Sequence, residues 1–194
     1  PERFVEDGKT WLLCGHATLN VRVPARLPDL LDPKKYEAFT CAGTVEKDRP
    51  VWRWQTELPP MQPGAEADLV KAGKLKTEDA HFCPVNAVDA KEHVRLHNGT
   101  VRWNEFRKRW VLIAGQHGGK SSYLGEVWYA EAKQPTGPFV NAVKIVTHEK
   151  QTFYNVCHHS FLDRAAGRVI HFEGTYTSEF SGNPDKTQIG RAHV

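Results

Sequence analysis

Four strand-like runs follow one another between Gly99 and His148 with little but turns between them. They are GTVRWNEF (99–106), RWVLIAGQ (109–116), EVWYAEA (126–132) and AVKIVTH (142–148). Each is rich in β-branched and aromatic residues and bounded by turn formers or charges, the pattern of short antiparallel strands. EFRKR (105–109) and QPTG (134–137) supply turns, and in QPTG Pro135 and Gly137 suit positions i+1 and i+3 of a type I turn. HGGKSS (117–122) joins two of the strands; it is Gly-rich but lacks the GxxxxGK[ST] spacing of a phosphate loop. Along EVWYAEA, Glu126, Trp128 and Ala130 face one way, and Val127, Tyr129 and Glu131 the other.

The same grammar recurs on either side. KTWLLCGHATLNVRV (9–23), YEAFTC (36–41) and VWRWQT (51–56) precede the four runs; NVCHHSFL (155–162), the turn DRAAG (163–167) and RVIHFEGTYT (168–177) follow them. One region departs. Residues 63–82, PGAEADLVKAGKLKTEDAHF, are rich in helix formers, with Ala65, Leu69 and Ala72 at helical spacing, a stop at Gly73 and a second start at Thr77. LPDLLDP (27–33) suits one helical turn. The expected fold is therefore all-β with a short helical insertion at about 63–82. The strand–turn–strand repeat points to radially repeated four-stranded units, as in a propeller of ~4–8 blades. The clearest blade is 98–148, the start of the next is 153–180, and the propeller is incomplete.

The totals exclude several classes. The chain has 194 residues, 40% hydrophobic and 25% charged, ordinary for a globular domain. The net charge is +3, and apart from Arg107, Lys108 and Arg109 the basic residues are scattered, which gives no nucleic-acid footprint. No apolar run approaches the ~20 residues needed to span a bilayer. The four cysteines, Cys14, Cys41, Cys83 and Cys157, show no CxxC spacing. At the C-terminal end, Ile189–Val194 reads as one frame of a common sequencing adapter (Ile-Gly-Arg-Ala-His-Val-stop), whose leading bases would complete the Gln188 codon. Residues 188–194 are thus expected to be non-native, and residues 1–187 to be an interior piece of a longer protein.

Trp128, Ala130, Ala132, Pro135, Gly137, Pro138 and Phe139 form a Trp-x-Ala-x-Ala strand followed by Pro-x-Gly-Pro-aromatic. This resembles a middle strand of the five-bladed β-propeller glycoside hydrolases of the arabinanase and β-xylosidase type. WNEFRKRWVLIAG resembles the strand pair that precedes it in such blades. GEVWYAEA and the Glu173 segment are similar to uncharacterised propeller proteins of environmental bacteria. The resemblance covers Asn98 to Pro184. It implies a carbohydrate partner, a site at one mouth of a central channel, and a secreted or periplasmic location. Two features depart from the family. Inner strands there often open with Asp-Pro, where this chain has Asn155-Val156. Glu173-Gly174-Thr175 is similar to the family's Glu-Gly-Pro but falls late on a second strand.

Glycoside hydrolysis needs two carboxyl groups facing each other across the sugar. The candidates are Glu173, set in the apolar run VIHFEGTY, and Glu126, which begins a strand and is placed where an end can reach a channel mouth. Glu131 is expected to be structural, and Glu105 and Asp163 to belong to turns. For substrate binding the expected residues are His158, His159, Asn155, His16 and Arg102. His158 and His159 fall on opposite faces of a strand; His16 and His171 are read as strand residues. No local histidine pair has a recognised ligand spacing, so no metal ligands are assigned and no cofactor is expected, although a structural divalent ion in the channel is compatible with the pattern. Trp52 and Trp54 share a strand face, suited either to sugar stacking or to packing between blades. The expected function is glycoside hydrolysis of a polysaccharide or oligosaccharide, or alternatively non-catalytic binding of carbohydrate or protein.

Overall fold

The computed structural model describes residues 1–42, 45–46 and 49–182; the adapter-like segment lies outside them. Strand accounts for 41% of the chain and helix for 14%, which places it in the all-β class. Strands β1 (Glu2–Glu6), β2 (Lys9–Cys14), β3 (Val21–Pro24) and β4 (Glu37–Thr40) form an antiparallel meander. Helix α1 (Leu27–Leu30) lies between β3 and β4, where the expected helical turn falls. A small hairpin, β5 (Val45–Glu46) with β6 (Arg49–Pro50), leads to β7 (Arg53–Gln55), which pairs with β4 as the fifth strand. Helix α2 (Pro63–Lys71) and a 3-10 turn at Thr77–Asp79 form the insertion, and Gly73 takes the left-handed backbone that ends α2.

A second sheet follows in the expected order: β8 (Leu96–Asn104), β9 (Arg109–Gln116), β10 (Val127–Ala132) and β11 (Val140–Val146) are an antiparallel four-stranded meander. The QPTG turn closes with the Gly137 amide donating to the Gln134 carbonyl at 3.1 Å. Finally β12 (Thr152–His158) and β13 (Phe172–Thr177) pair as a hairpin.

The run RWVLIAGQ is apolar throughout because β9 is covered on both faces. Trp110, Leu112 and Ala114 join a core with Leu13, Leu19, Phe39, Phe82 and Trp128. Val111 and Ile113 point the other way, into a core with Val127, Phe153 and Val156. Alternate residues of one strand thus serve two cores, and the four-stranded sheet lies between the five-stranded sheet and the β12–β13 hairpin. Trp128 and Tyr129 divide between the faces as the alternation predicts. Trp52 and Trp54 pack on Phe39, with ring centroids 5.3 and 5.1 Å away, so these half-buried tryptophans pack against the core.

Strands β8 and β12 lie side by side and run the same way. His97 near the start of β8 meets Tyr154 near the start of β12, and farther along Thr100 Oγ1 accepts the His158 amide at 2.8 Å. Gly99 permits close approach within the sheet: a Cβ there would stand 2.4 Å from the Ile113 carbonyl oxygen.

Several boundaries differ from expectation. Strand β1 was readable as ERFVE before Asp7-Gly8, a pair with left-handed backbone (φ 50° and 73°) of the kind that makes tight hairpins. Strand β12 opens at Thr152, so Asn155 is within the strand and not at its start. After His158 the chain leaves the sheet, and 3-10 turns at Ser160–Leu162 and Ala165–Gly167 replace a simple DRAAG turn. His16 is in the β2–β3 loop and His171 just precedes β13, so neither is a strand residue.

Candidate functional site

The expected site residues converge only in part: Arg102, His158, His159 and Glu173 fall near one another, while Glu126 and His16 lie elsewhere. Toward the end of β12 are His158, His159 and, across the hairpin, Glu173, whose register partner is Cys157. His158 is fully buried, and its Nε2 stands 3.0 Å from both oxygens of Asp163. A carboxylate can only accept, so Nε2 carries the proton and Nδ1 is left as an acceptor, buried without a partner. Burial holds the imidazole below its ordinary pKa, and Asp163 only partly offsets this. Asp163, expected as a turn residue, also accepts the His171 amide at 3.1 Å and ties the connection to the hairpin.

Next to this pair, His159 Nε2 is 3.1 Å from Glu173 Oε1, and the Glu173 side chain keeps 41% exposure. It is a carboxylate with a partner and access to solvent. Arg102 pairs with Glu2 at 3.0 Å and lines a cavity of about 130 Å³ with Thr100, Cys14 and Gly15. That volume holds a few waters at ~30 Å³ each and not a sugar ring. Asn155 is exposed at the register shift of β12 with φ 53°. Its short polar side chain tolerates this left-handed geometry, which gives it a backbone role.

Glu126 is completely buried. Its Oε1 accepts from the amides of Lys120 (2.9 Å) and Ser121 (3.1 Å), from Ser121 Oγ (3.1 Å) and from Lys144 Nζ (3.0 Å). Its Oε2 accepts from Trp128 Nε1 at 3.3 Å. Burial alone would raise its pKa; the Lys144 ammonium and the Ser121 donors outweigh burial and hold it below the ordinary range. The side chain therefore fixes the 117–122 loop from beneath and is closed to solvent. Glu131 accepts from Tyr129 Oη and Asn141 Nδ2, both at 3.0 Å, a structural part as expected.

At the other end of the sheets, rings that the sequence did not single out come together around His97. Its imidazole is stacked on His117, with centroids 5.9 Å apart and planes at 27°. Tyr154 is 5.5 Å away on the β12 side and is followed by Phe180 at 5.8 Å. His16, from the β2–β3 loop, meets His97 edge-on at 6.4 Å. Tyr123 Oη is 2.6 Å from His117 Nε2. The start of β8, the end of β9, the start of β12 and the segment after β13 build this partly exposed shelf together. Of the residues expected to bind substrate, His16 alone is here. Burial, then the neighbouring His117 and His16, hold His97 below its ordinary pKa, partly offset by the Asn98 side-chain amide. Nothing local in LHNGT or GQHGG marked these histidines; only the sheet registers align them.

A larger cavity, about 610 Å³, lies between the β9–β11 face and β13, lined by Ile113, Tyr129, Val143, Ile145, Ile170 and Phe172. Arg107, Glu131, Asn141 and Arg168 complete the lining, so charged and polar side chains share it with the apolar ones. Among the described residues no His, Cys, Asp or Glu group has the geometry to hold a metal ion, and all four cysteines are free thiols. Among the described residues no helix is long and apolar enough to cross a membrane. No protein-family model matches the chain, and no curated protein matches it.

Proposed function

We propose that this chain is part of a carbohydrate-binding propeller and that the ring shelf around His97 is where sugar is held. The observation that carries this is the run of rings His117, His97, Tyr154 and Phe180, spaced 5.5–5.9 Å apart and open to solvent. Partly exposed aromatic faces present apolar surface to the C–H faces of a sugar, and the Tyr and His edges donate and accept hydrogen bonds to its hydroxyls. The propeller reading draws support from the four-stranded meander, the hairpin packed on its face, and the parallel contact of β8 with β12, which suits neighbouring inner strands of adjacent blades.

The test is isothermal titration of the protein with a panel of neutral oligosaccharides, repeated with Tyr154→Ala and His97→Ala. Stacking contacts are worth roughly 0.5–1.5 kcal/mol each, so each variant is expected to weaken binding several-fold. Binding that is unchanged in both variants, or none in the parent, would overturn the assignment.

A hydrolytic reading has one observation in its favour: the exposed Glu173 carboxylate beside His159 at 3.1 Å. It predicts release of reducing sugar that Glu173→Gln abolishes while leaving oligosaccharide affinity in place.

A further inference from the structure

The three imidazoles on the shelf differ from the other histidine pairs of the fold. His158 and His159 each have a carboxylate within 3.1 Å, Asp163 and Glu173. His16, His97 and His117 have no carboxylate at ion-pair distance among the described residues, yet they are set against one another. The acidic and basic groups around them are engaged elsewhere. Asp68 of α2 is paired with Arg95, just before β8, and lies within electrostatic range of His117. Lys120 is paired with Glu92, and Lys144 with Glu126. The remaining neighbours are neutral: Asn98 on β8, Tyr123 on the β9–β10 loop and Tyr154 on β12.

Such a cluster is unfavourable when protonated without an anion. Charge on His117 and His16 opposes a proton on His97. An anionic oxygen held among the three removes that opposition and gains charge-assisted hydrogen bonds from the ring N–H groups. The rings come from three separate elements, the β2–β3 loop, β8 and the end of β9, so their meeting is set by the tertiary fold. His97 stands between the other two rings, its centroid 5.9 Å from His117 and 6.4 Å from His16, so one polyatomic anion beside His97 can meet ring N–H groups of its neighbours.

We propose that the His16–His97–His117 cluster receives an anionic substituent of the bound sugar, so that the preferred ligand is an acidic saccharide. This deepens the ring-shelf assignment and rests on it. Tyr154 and Phe180 take the sugar face, and the imidazoles take the charge. The shared chemistry of the substituent is a carboxylate or a sulfate ester. Binding is expected to strengthen as pH falls.

The experiment compares three ligands on the intact protein: a galacturonate trimer, the neutral galactose trimer, and the same neutral trimer carrying sulfate esters. Each is titrated at about pH 5.5 and about pH 8, on either side of the ordinary histidine pKa. The expected result is that an acidic trimer binds about tenfold more tightly than the neutral one at the lower pH, as for a charge-assisted contact, and that the advantage shrinks at the higher pH. Preference for galacturonate identifies a carboxylate, and preference for the sulfated trimer identifies a sulfate. His16→Gln, an exposed loop change that leaves the core intact, is expected to lower acidic affinity several-fold more than neutral affinity. Equal binding of neutral and acidic trimers at both pH values overturns the charge assignment and leaves the shelf standing. Failure of all three to bind overturns both.

Discussion

His158 and Asp163 form a buried pair in which one ring nitrogen faces both carboxylate oxygens at 3.0 Å. The pair fastens the end of β12 to the connection that returns to β13. Asp163→Asn leaves a weaker acceptor and presents an N–H₂ group to the His158 N–H. It should cost about 1–3 kcal/mol, the range for a buried polar group left unsatisfied, read as a lower urea midpoint with an unchanged slope.

The same histidine predicts a pH dependence. Its folded pKa is below the ordinary value of about 6.5, so between the two values the unfolded chain binds more protons than the native one. Stability therefore rises with pH through that window and is lost as pH falls below about 6.5. In His158→Gln the slope of unfolding free energy against pH in that window should shrink.

Glu66 works in the opposite sense. It is fully buried on α2 and accepts the amides of His81 (2.7 Å) and Phe82 (2.6 Å). Burial outweighs these bonds and pushes its pKa from 4.5 up to about 7. Between those values the native state holds the extra proton, so this contribution to stability falls as pH rises from 4.5 toward about 7. Glu66→Gln removes that slope. Its amide can satisfy one backbone donor but not both, at a cost of about 1–3 kcal/mol, measurable by denaturation at about pH 8.

Glu126→Gln should loosen the 117–122 loop, since the amide cannot accept all the donors that the carboxylate gathers and leaves Lys144 without its counter-charge. Hydrogen bonds to a charged group are worth roughly 1.5–3 kcal/mol, and a loss of that size is expected in chemical denaturation. Limited proteolysis should then cut between residues 117 and 123 first.

Gly99→Ala tests the close approach of β8 to β9. With the Ile113 carbonyl 2.4 Å from the new Cβ, the strands must separate. Overpacking of this kind costs about 1–3 kcal/mol, and the thermal midpoint should fall accordingly.

The strands from 99 to 148 were legible because each must satisfy a period of two and end at a turn, and both signals are local. The insertion was legible for the same reason, down to the stop at Gly73. The part played by Glu126 was not: its position at the start of a strand suggests exposure, and only the folding of the preceding loop, with the Lys120 and Ser121 amides, over it buries it. His97 on β8 and His117 just after β9 are 20 positions apart, and the β8–β9 pairing, continued by the His117 amide on the Arg95 carbonyl, brings them together. Asp163 looked like a turn former because turn chemistry and histidine pairing use the same short carboxylate, and which one operates depends on where His158 points.

Glu126 also joins two parts of the protein that would otherwise vary independently. One oxygen holds the loop that carries His117 and Tyr123, and the other touches the indole of Trp128 at the centre of the larger core. Substitutions in that core and on the shelf are therefore expected to be non-additive. A lineage that repacks Trp128 would shift the positions of His117 and Tyr123 without replacing any residue on the shelf.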